Sequence, residues 1–212
     1  MYIPDTLSEI TLAQYQKYIK YQNDNDDENF LAIKMIEVFC GLRNTTVRSM
    51  KAKSINDVCK ILVDMFNEKP ELVKQFEMNG ITYGFIPDLE NITFGEYIDL
   101  DTFIGDFENM HKAMAVLYRP ITQKYKDKYL VEKYTADKFN QMVDMPMDAV
   151  FSSILFFYHL GMELSTVMLN SLETQEEENL VQYLNSTVSG DGINQFSDSL
   201  KGILENLKIS LN

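Results

Sequence analysis

His111, His159, Cys40 and Cys59 are the only histidines and cysteines among 212 residues, so the side chains that most often ligate metals or activate nucleophiles are scarce. A zinc site needs them clustered at ligand spacing. Here each histidine stands alone, and neither cysteine belongs to a Cys-x-x-Cys pair. His159 and Glu163, four apart, would share one face of a helix and form the best acid–base pair in the chain. At that spacing the pair is more readily a helix contact than a general base. The run Asn23-Asp24-Asn25-Asp26-Asp27-Glu28 is rich enough in carboxylates for calcium. It lacks the glycine and the closing glutamate of the twelve-residue calcium loop, and reads as a solvated turn. No His-Glu-x-x-His, phosphate-binding loop, dinucleotide glycine fingerprint or Gly-x-Ser-x-Gly occurs. The residues predict no enzyme, no metal and no cofactor.

Two other groupings have chemical potential. Between Arg119 and Lys138 lie Lys124, Lys126, Lys128 and Lys133, interleaved with Tyr125, Tyr129 and Tyr134. Basic and aromatic side chains together can hold nucleic acid. A net charge of −13 repels phosphate, however, so a solvated connector is the expectation and nucleic acid an unlikely partner. Met142, Met145 and Met147 suit either an adaptable binding surface or core filling. Cys40 and Cys59 sit within apolar helical patterns and are expected as buried free thiols. The start Met1-Tyr2-Ile3-Pro4-Asp5 does not read as a secretory signal, and no apolar run approaches membrane-spanning length. The expected location is a host cytoplasm, or a virion assembled in one.

The elements that must position these residues are mostly helical. Apolar spacing predicts helices over 11–22, 27–40, 45–50 and 54–67, the last capped by Ser54 with Asp57 three residues on. Gly41 suits the left-handed stop of the second. Leu72–Met78 and Ile81–Phe85 flank Asn79-Gly80, a strong hairpin signal that makes this edge a candidate for strand addition. Further helices are expected over 93–100, 106–118, 135–143, 146–172 and 174–185. Residues 185–192 have linker composition, and 193–211 carry Ile193, Phe196, Leu200, Ile203 and Leu207 in a heptad-like seam. The seam either folds back on the core or zips against a partner.

An internal similarity organises these pieces. Ile3-Pro4-Asp5 through Ile10-Thr11-Leu12-Ala13-Gln14-Tyr15 matches Ile86-Pro87-Asp88 through Ile92-Thr93-Phe94-Gly95-Glu96-Tyr97 with one residue deleted. Glu28-Asn29 then corresponds to Glu108-Asn109, and Asp57-Val58 to Asp148-Ala149-Val150 after an insertion in the 119–134 stretch. The expected fold is mainly α: two similar helical subdomains from a duplication with one β-hairpin between them. The parts are 1–70, the hairpin 71–86, 87–184, the linker 185–192 and a C-terminal amphipathic helix over 193–212.

The repeated Ile-Thr helix start, the acidic break and the Glu-Asn helix in the first half resemble bacteriophage tail assembly chaperones. The second half, Ile92 to Leu100 and Leu155 to Gly161, is similar to small acidic proteins encoded beside phage tail genes. The resemblance covers about residues 3–170. It implies a virion structural or cargo component, or an assembly factor, whose partners are other virion or tail proteins or copies of itself. The side chains expected to meet them are the seam Ile193, Phe196, Leu200, Ile203 and Leu207, and the hairpin residues Phe76, Met78, Ile81, Tyr83 and Phe85. The alternative is an acidic decoy that imitates DNA phosphate and occupies a host DNA-binding protein. Its carboxylates should then spread over one face, whereas the acids at 23–28 and 173–178 are clumped.

Overall fold

Residues 1–89 and 91–174 are described in a computed structural model. Thr11 opens α1 (Leu12–Asp24) with a reciprocal capping box: its Oγ1 accepts from the Gln14 amide at 3.2 Å, and Gln14 Oε1 accepts from the Thr11 amide at 2.9 Å. The Asp27 carboxylate takes the amides of Asn29 and Phe30 and so starts α2 (Glu28–Phe39). Gly41, at φ 67°, ends it in the left-handed region. Next come α3 (Asn44–Arg48) and α4 (Ala52–Phe66). α4 begins before Ser54, at Lys51, with no side-chain cap, so the cap expected at Ser54 is not the helix start.

β1 (Gln75–Met78) and β2 (Ile81–Phe85) are antiparallel, with Phe76 opposite Tyr83 and Met78 opposite Ile81. The turn residues Asn79 and Gly80 have φ of 54° and 74°, the signs that a two-residue type I′ turn requires. After α5 (Phe94–Ile104), a 3-10 turn at Phe107–Asn109 leads into α6 (Met110–Leu117). The chain then passes directly into β3 (Tyr118–Tyr125) and returns as β4 (Lys128–Val131). β3 pairs with the free side of β2, with Phe85 opposite Tyr118, giving one sheet in the order β1-β2-β3-β4.

Two expectations change here. The basic 119–134 stretch is not a solvated connector: most of it is a second hairpin. The fold is therefore helices with a four-stranded antiparallel sheet, where one β-hairpin between two helical halves was expected. The turn signal was hidden because Lys126, a residue with no special tolerance for it, occupies the positive-φ position (φ 54°). The strand signal was hidden because lysines occupy the solvated side of a half-exposed ribbon.

A 3-10 stretch over Ala136–Asp144 leads to α7 (Met147–Thr174). The first two turns of α7 are buried on nearly all sides by Met147, Ala149, Val150, Phe151 and Ile154. Ser152 and Ser153 are buried there as well, and both hydroxyls donate to the Ala149 carbonyl, at 3.1 and 2.7 Å. The N-terminal segment clamps this helix start. The Leu12 amide donates to Met145 O at 2.8 Å, and the Met147 amide to Ile10 O at 2.9 Å. Tyr15 of α1 meets Phe66, Phe107 and Phe151 with ring centroids 5.1, 5.5 and 5.3 Å away. The two helical stretches therefore share one core, extending from Leu7 to Phe157. The helix expected over 174–185, the linker 185–192 and the seam Ile193, Phe196, Leu200, Ile203 and Leu207 lie outside the described residues.

The sheet closes over one glycine. A Cβ at Gly84 would stand 2.5 Å from Tyr129 Cε2 and 2.9 Å from Ile121 Cγ1, because the Tyr129 ring crosses the β2 backbone to donate its hydroxyl to Phe85 O at 2.7 Å. Gly84→Ala should therefore displace the second hairpin and lower stability by about 1–3 kcal/mol, read as a lower urea midpoint. An unchanged midpoint would show that the ring does not lie on this backbone.

Candidate interaction surfaces

Among the described residues no group of three or more His, Cys, Asp or Glu side chains is placed to hold a metal. No helix among them is long and apolar enough to cross a membrane. His111 is half-buried, with Gln16 Nε2 3.5 Å from its Nδ1. Burial, followed by the charge of Lys112, lowers its pKa below the ordinary histidine value. His159 is exposed, and the side chain of Glu163, its expected partner, lies outside those described. Cys40 and Cys59 are free thiols. Burial pushes the Cys40 thiol up to about 11, the wrong direction for a nucleophile.

The hairpin residues expected to meet a partner are mostly spent on the core. Met78, Tyr83 and Phe85 are buried. Phe76 stacks on Tyr83 at 5.5 Å and tilts against Tyr118 at 5.3 Å, while Phe85 packs on Tyr118, Phe156 and Phe157. Of the five, only Ile81, 44% exposed, remains largely open. Strand β2 is internal, so the sheet's edges are β1 and β4. The physical reason is that β3 pairs with the side of β2 that the hairpin leaves open.

The exposed apolar groups lie elsewhere. On α5, Phe94 is 78% exposed, Ile98 45% and Tyr97 43%. At spacings of three and four these share the outer face with Asp101. The opposite face of the same helix buries Glu96, Leu100 and Ile104. A short helix with apolar stripes on two sides carries more apolar surface than one core contact needs, and that excess was the available sequence signal. The contrast with α1 is direct: Leu12 and Tyr15, matched to Phe94 and Tyr97 by the internal similarity, are fully covered. A second surface is the tip of the β3–β4 hairpin, where Tyr125 is 75% and Leu130 58% exposed. Lys124, Lys126 and Lys128 stand beside them, also exposed. A third is an apolar groove of about 360 Å³ between α1, α2 and α4, walled by Tyr18, Leu31, Met35, Cys59 and Val63.

One buried ion pair sets how α5 is turned. Glu96 Oε2 accepts the Thr93 amide at 2.6 Å as the capping-box partner, and Oε1 meets Arg119 Nη1 at 2.8 Å. Gln14 has the same box position in α1 but uses its amide to donate to Val38 O at 3.1 Å. Burial pushes the Glu96 carboxyl up, yet the Thr93 hydrogen bonds and the Arg119 guanidinium outweigh it and hold the pKa below the ordinary value. Its contribution to stability is thus present above the unfolded-state pKa and is lost as pH falls through the lower folded-state value. Arg119 Nε is buried without a protein partner, beside a cavity of about 20 Å³, room for one bridging water. Arg119→Met should cost roughly 3–5 kcal/mol at neutral pH by leaving Glu96 buried and unpaired. The loss should shrink as pH falls and the unpaired, buried carboxyl protonates, and Glu96→Gln in the same chain should restore most of it. Equal losses in the single and double variants, measured by urea unfolding, would refute the pairing argument.

Comparison of the chain with protein families, with characterised proteins and with solved structures finds no match.

Proposed function

We propose that this chain is a non-enzymatic bacteriophage protein that acts in virion structure or assembly, as a structural or cargo component or a tail assembly chaperone, by binding other virion proteins. The observation that carries the reading is the outer face of α5. Phe94, Tyr97 and Ile98 are open to solvent on an otherwise well-packed helix, and clustered large apolar groups on a surface mark a contact with another macromolecule. The acidic balance of the chain, −13 overall, keeps such surfaces soluble until they are covered. We further propose that the two halves descend from one duplicated helical unit. Supporting this, Thr11 and Thr93 both open helices with full capping boxes. Asp27 and Asp106 both cap the element that follows, and the β3–β4 hairpin falls where the similarity places an insertion.

The test is capture by the tagged full chain from a lysate of phage-producing cells, followed by mass spectrometry. Enrichment of tail or connector proteins supports the reading, and Leu200→Asp with Ile203→Asp should reduce it severalfold if the 193–207 seam takes part. Capture of no virion protein overturns it. Salt-sensitive capture of a basic host DNA-binding protein favours the decoy alternative instead.

A further inference from the structure

The two surfaces that keep the most exposed aromatic side chains of the folded region are opposite in charge. Residues 88–108, which include α5, contain seven carboxylates and no lysine or arginine. Residues 118–134, which include the second hairpin, contain five basic and two acidic side chains in a chain whose net charge is −13. Each surface joins apolar groups to charge: Phe94, Tyr97 and Ile98 with Asp101 on one, Tyr125 and Leu130 with Lys124, Lys126 and Lys128 on the other. We infer that the outer face of α5 is the docking site for the β3–β4 hairpin tip of a second copy of this chain.

Three arguments select that occupant. First, the chain's own hairpin does not reach the face. Its base is fixed by Arg119 to Glu96 on the buried side of α5, opposite Phe94. Phe94 is 78% exposed, so the chain's own hairpin leaves it uncovered. The tip is folded back across the sheet to its β1 edge, where Lys124 Nζ donates to Gln75 Oε1 at 2.8 Å and the Tyr129 hydroxyl lies 3.2 Å from Lys74 O. Second, a two-fold contact of α5 with α5 would bring carboxylates against carboxylates, and one of tip with tip would bring lysines against lysines. Third, α5 against the tip places apolar groups together with lysines beside aspartates, which gives both burial and attraction. Because the two surfaces differ, the contact is head-to-tail. It leaves one free face of each kind at the ends and grows into a ring or a filament. The inference deepens the assembly reading by naming one partner as the chain itself.

The experiment is sedimentation velocity of the full chain over a range of concentration and salt. It compares the wild type with Phe94→Asp/Ile98→Asp on the α5 face and Lys124→Glu/Lys126→Glu/Lys128→Glu on the tip. All five positions are exposed, and circular dichroism checks that both variants stay folded. The same series in the Leu200→Asp/Ile203→Asp chain separates this contact from any association through 193–207. The wild type should form a concentration-dependent series of oligomers that weakens as salt rises. Each variant alone should lose association by about tenfold or more in dissociation constant. An equimolar mixture of the two variants should form a dimer and nothing larger, since one intact face of each kind remains. A monomeric wild type, oligomers indifferent to both variants, or a mixture that stays monomeric overturns the contact. Binding of a single-stranded oligonucleotide by the wild type, lost in the lysine variant, overturns it in favour of nucleic acid. Capture of virion proteins by a chain shown to be monomeric would remove this contact and leave the proposed function standing.

Discussion

The sheet is held to the long helix through the buried phenol of Tyr118. This residue ends α6 and begins β3, so its position fixes the direction in which the second hairpin leaves the helices. Its ring lies between Phe76 and Phe85, each with its centroid 5.3 Å away. Its hydroxyl donates to Val73 O at 2.7 Å and lies 3.0 Å from Ser153 Oγ. A phenol in this setting costs a great deal unless paired, and burial raises its pKa to about 12. The pairing ties three segments distant in sequence: the approach to β1, the end of α6 and the first turns of α7. The amide of Val73 meets the neighbouring Ser152 Oγ at 3.1 Å, so one short stretch before the sheet is held from both sides.

Much of the surface follows from that constraint. With β3 pinned at its start, its next residue, Arg119, is delivered to Glu96, and α5 is turned so that its Glu96–Leu100–Ile104 side is buried. The Phe94–Tyr97–Ile98 side is then left facing water. In α1 the equivalent capping box ends in a neutral glutamine bonded to α2, and the helix is rotated the other way, with Leu12 and Tyr15 inward. Two similar helix starts thus present opposite faces because one capping side chain carries a charge that must find Arg119 and the other does not. That difference leaves the chain with an open apolar stripe, and the proposed role in assembly rests on it.

The second hairpin adds an arm of opposite character. Its outer positions are lysines and exposed aromatics, while its inner side is pressed on the backbone at Gly84. The chain thereby separates its charge into an acidic helical body and a basic ribbon laid across the sheet, a distribution suited to directional contacts between molecules.

Local chemistry was enough to read several elements from the residues alone. Asn79-Gly80 dictates the first hairpin because few residue pairs accept two positive φ angles. Thr11 with Gln14, and Thr93 with Glu96, dictate two helix starts because their side chains reach only the neighbouring amides. What the residues could not reveal depends on contacts far apart in sequence. Lys126 takes a turn position normally left to glycine or asparagine, so the β3–β4 hairpin is recognisable only once β2 offers its free edge. Phe76, Met78, Tyr83 and Phe85 have the pattern of an exposed strand pair, and only the arrival of Tyr118, Phe156 and Phe157 covers them. The same spacing of Phe94, Tyr97 and Ile98 would serve a buried or an open helix face equally well. The ion pair between Glu96 and Arg119 decides it, because an isolated buried charge is costly and the helix turns to pair it.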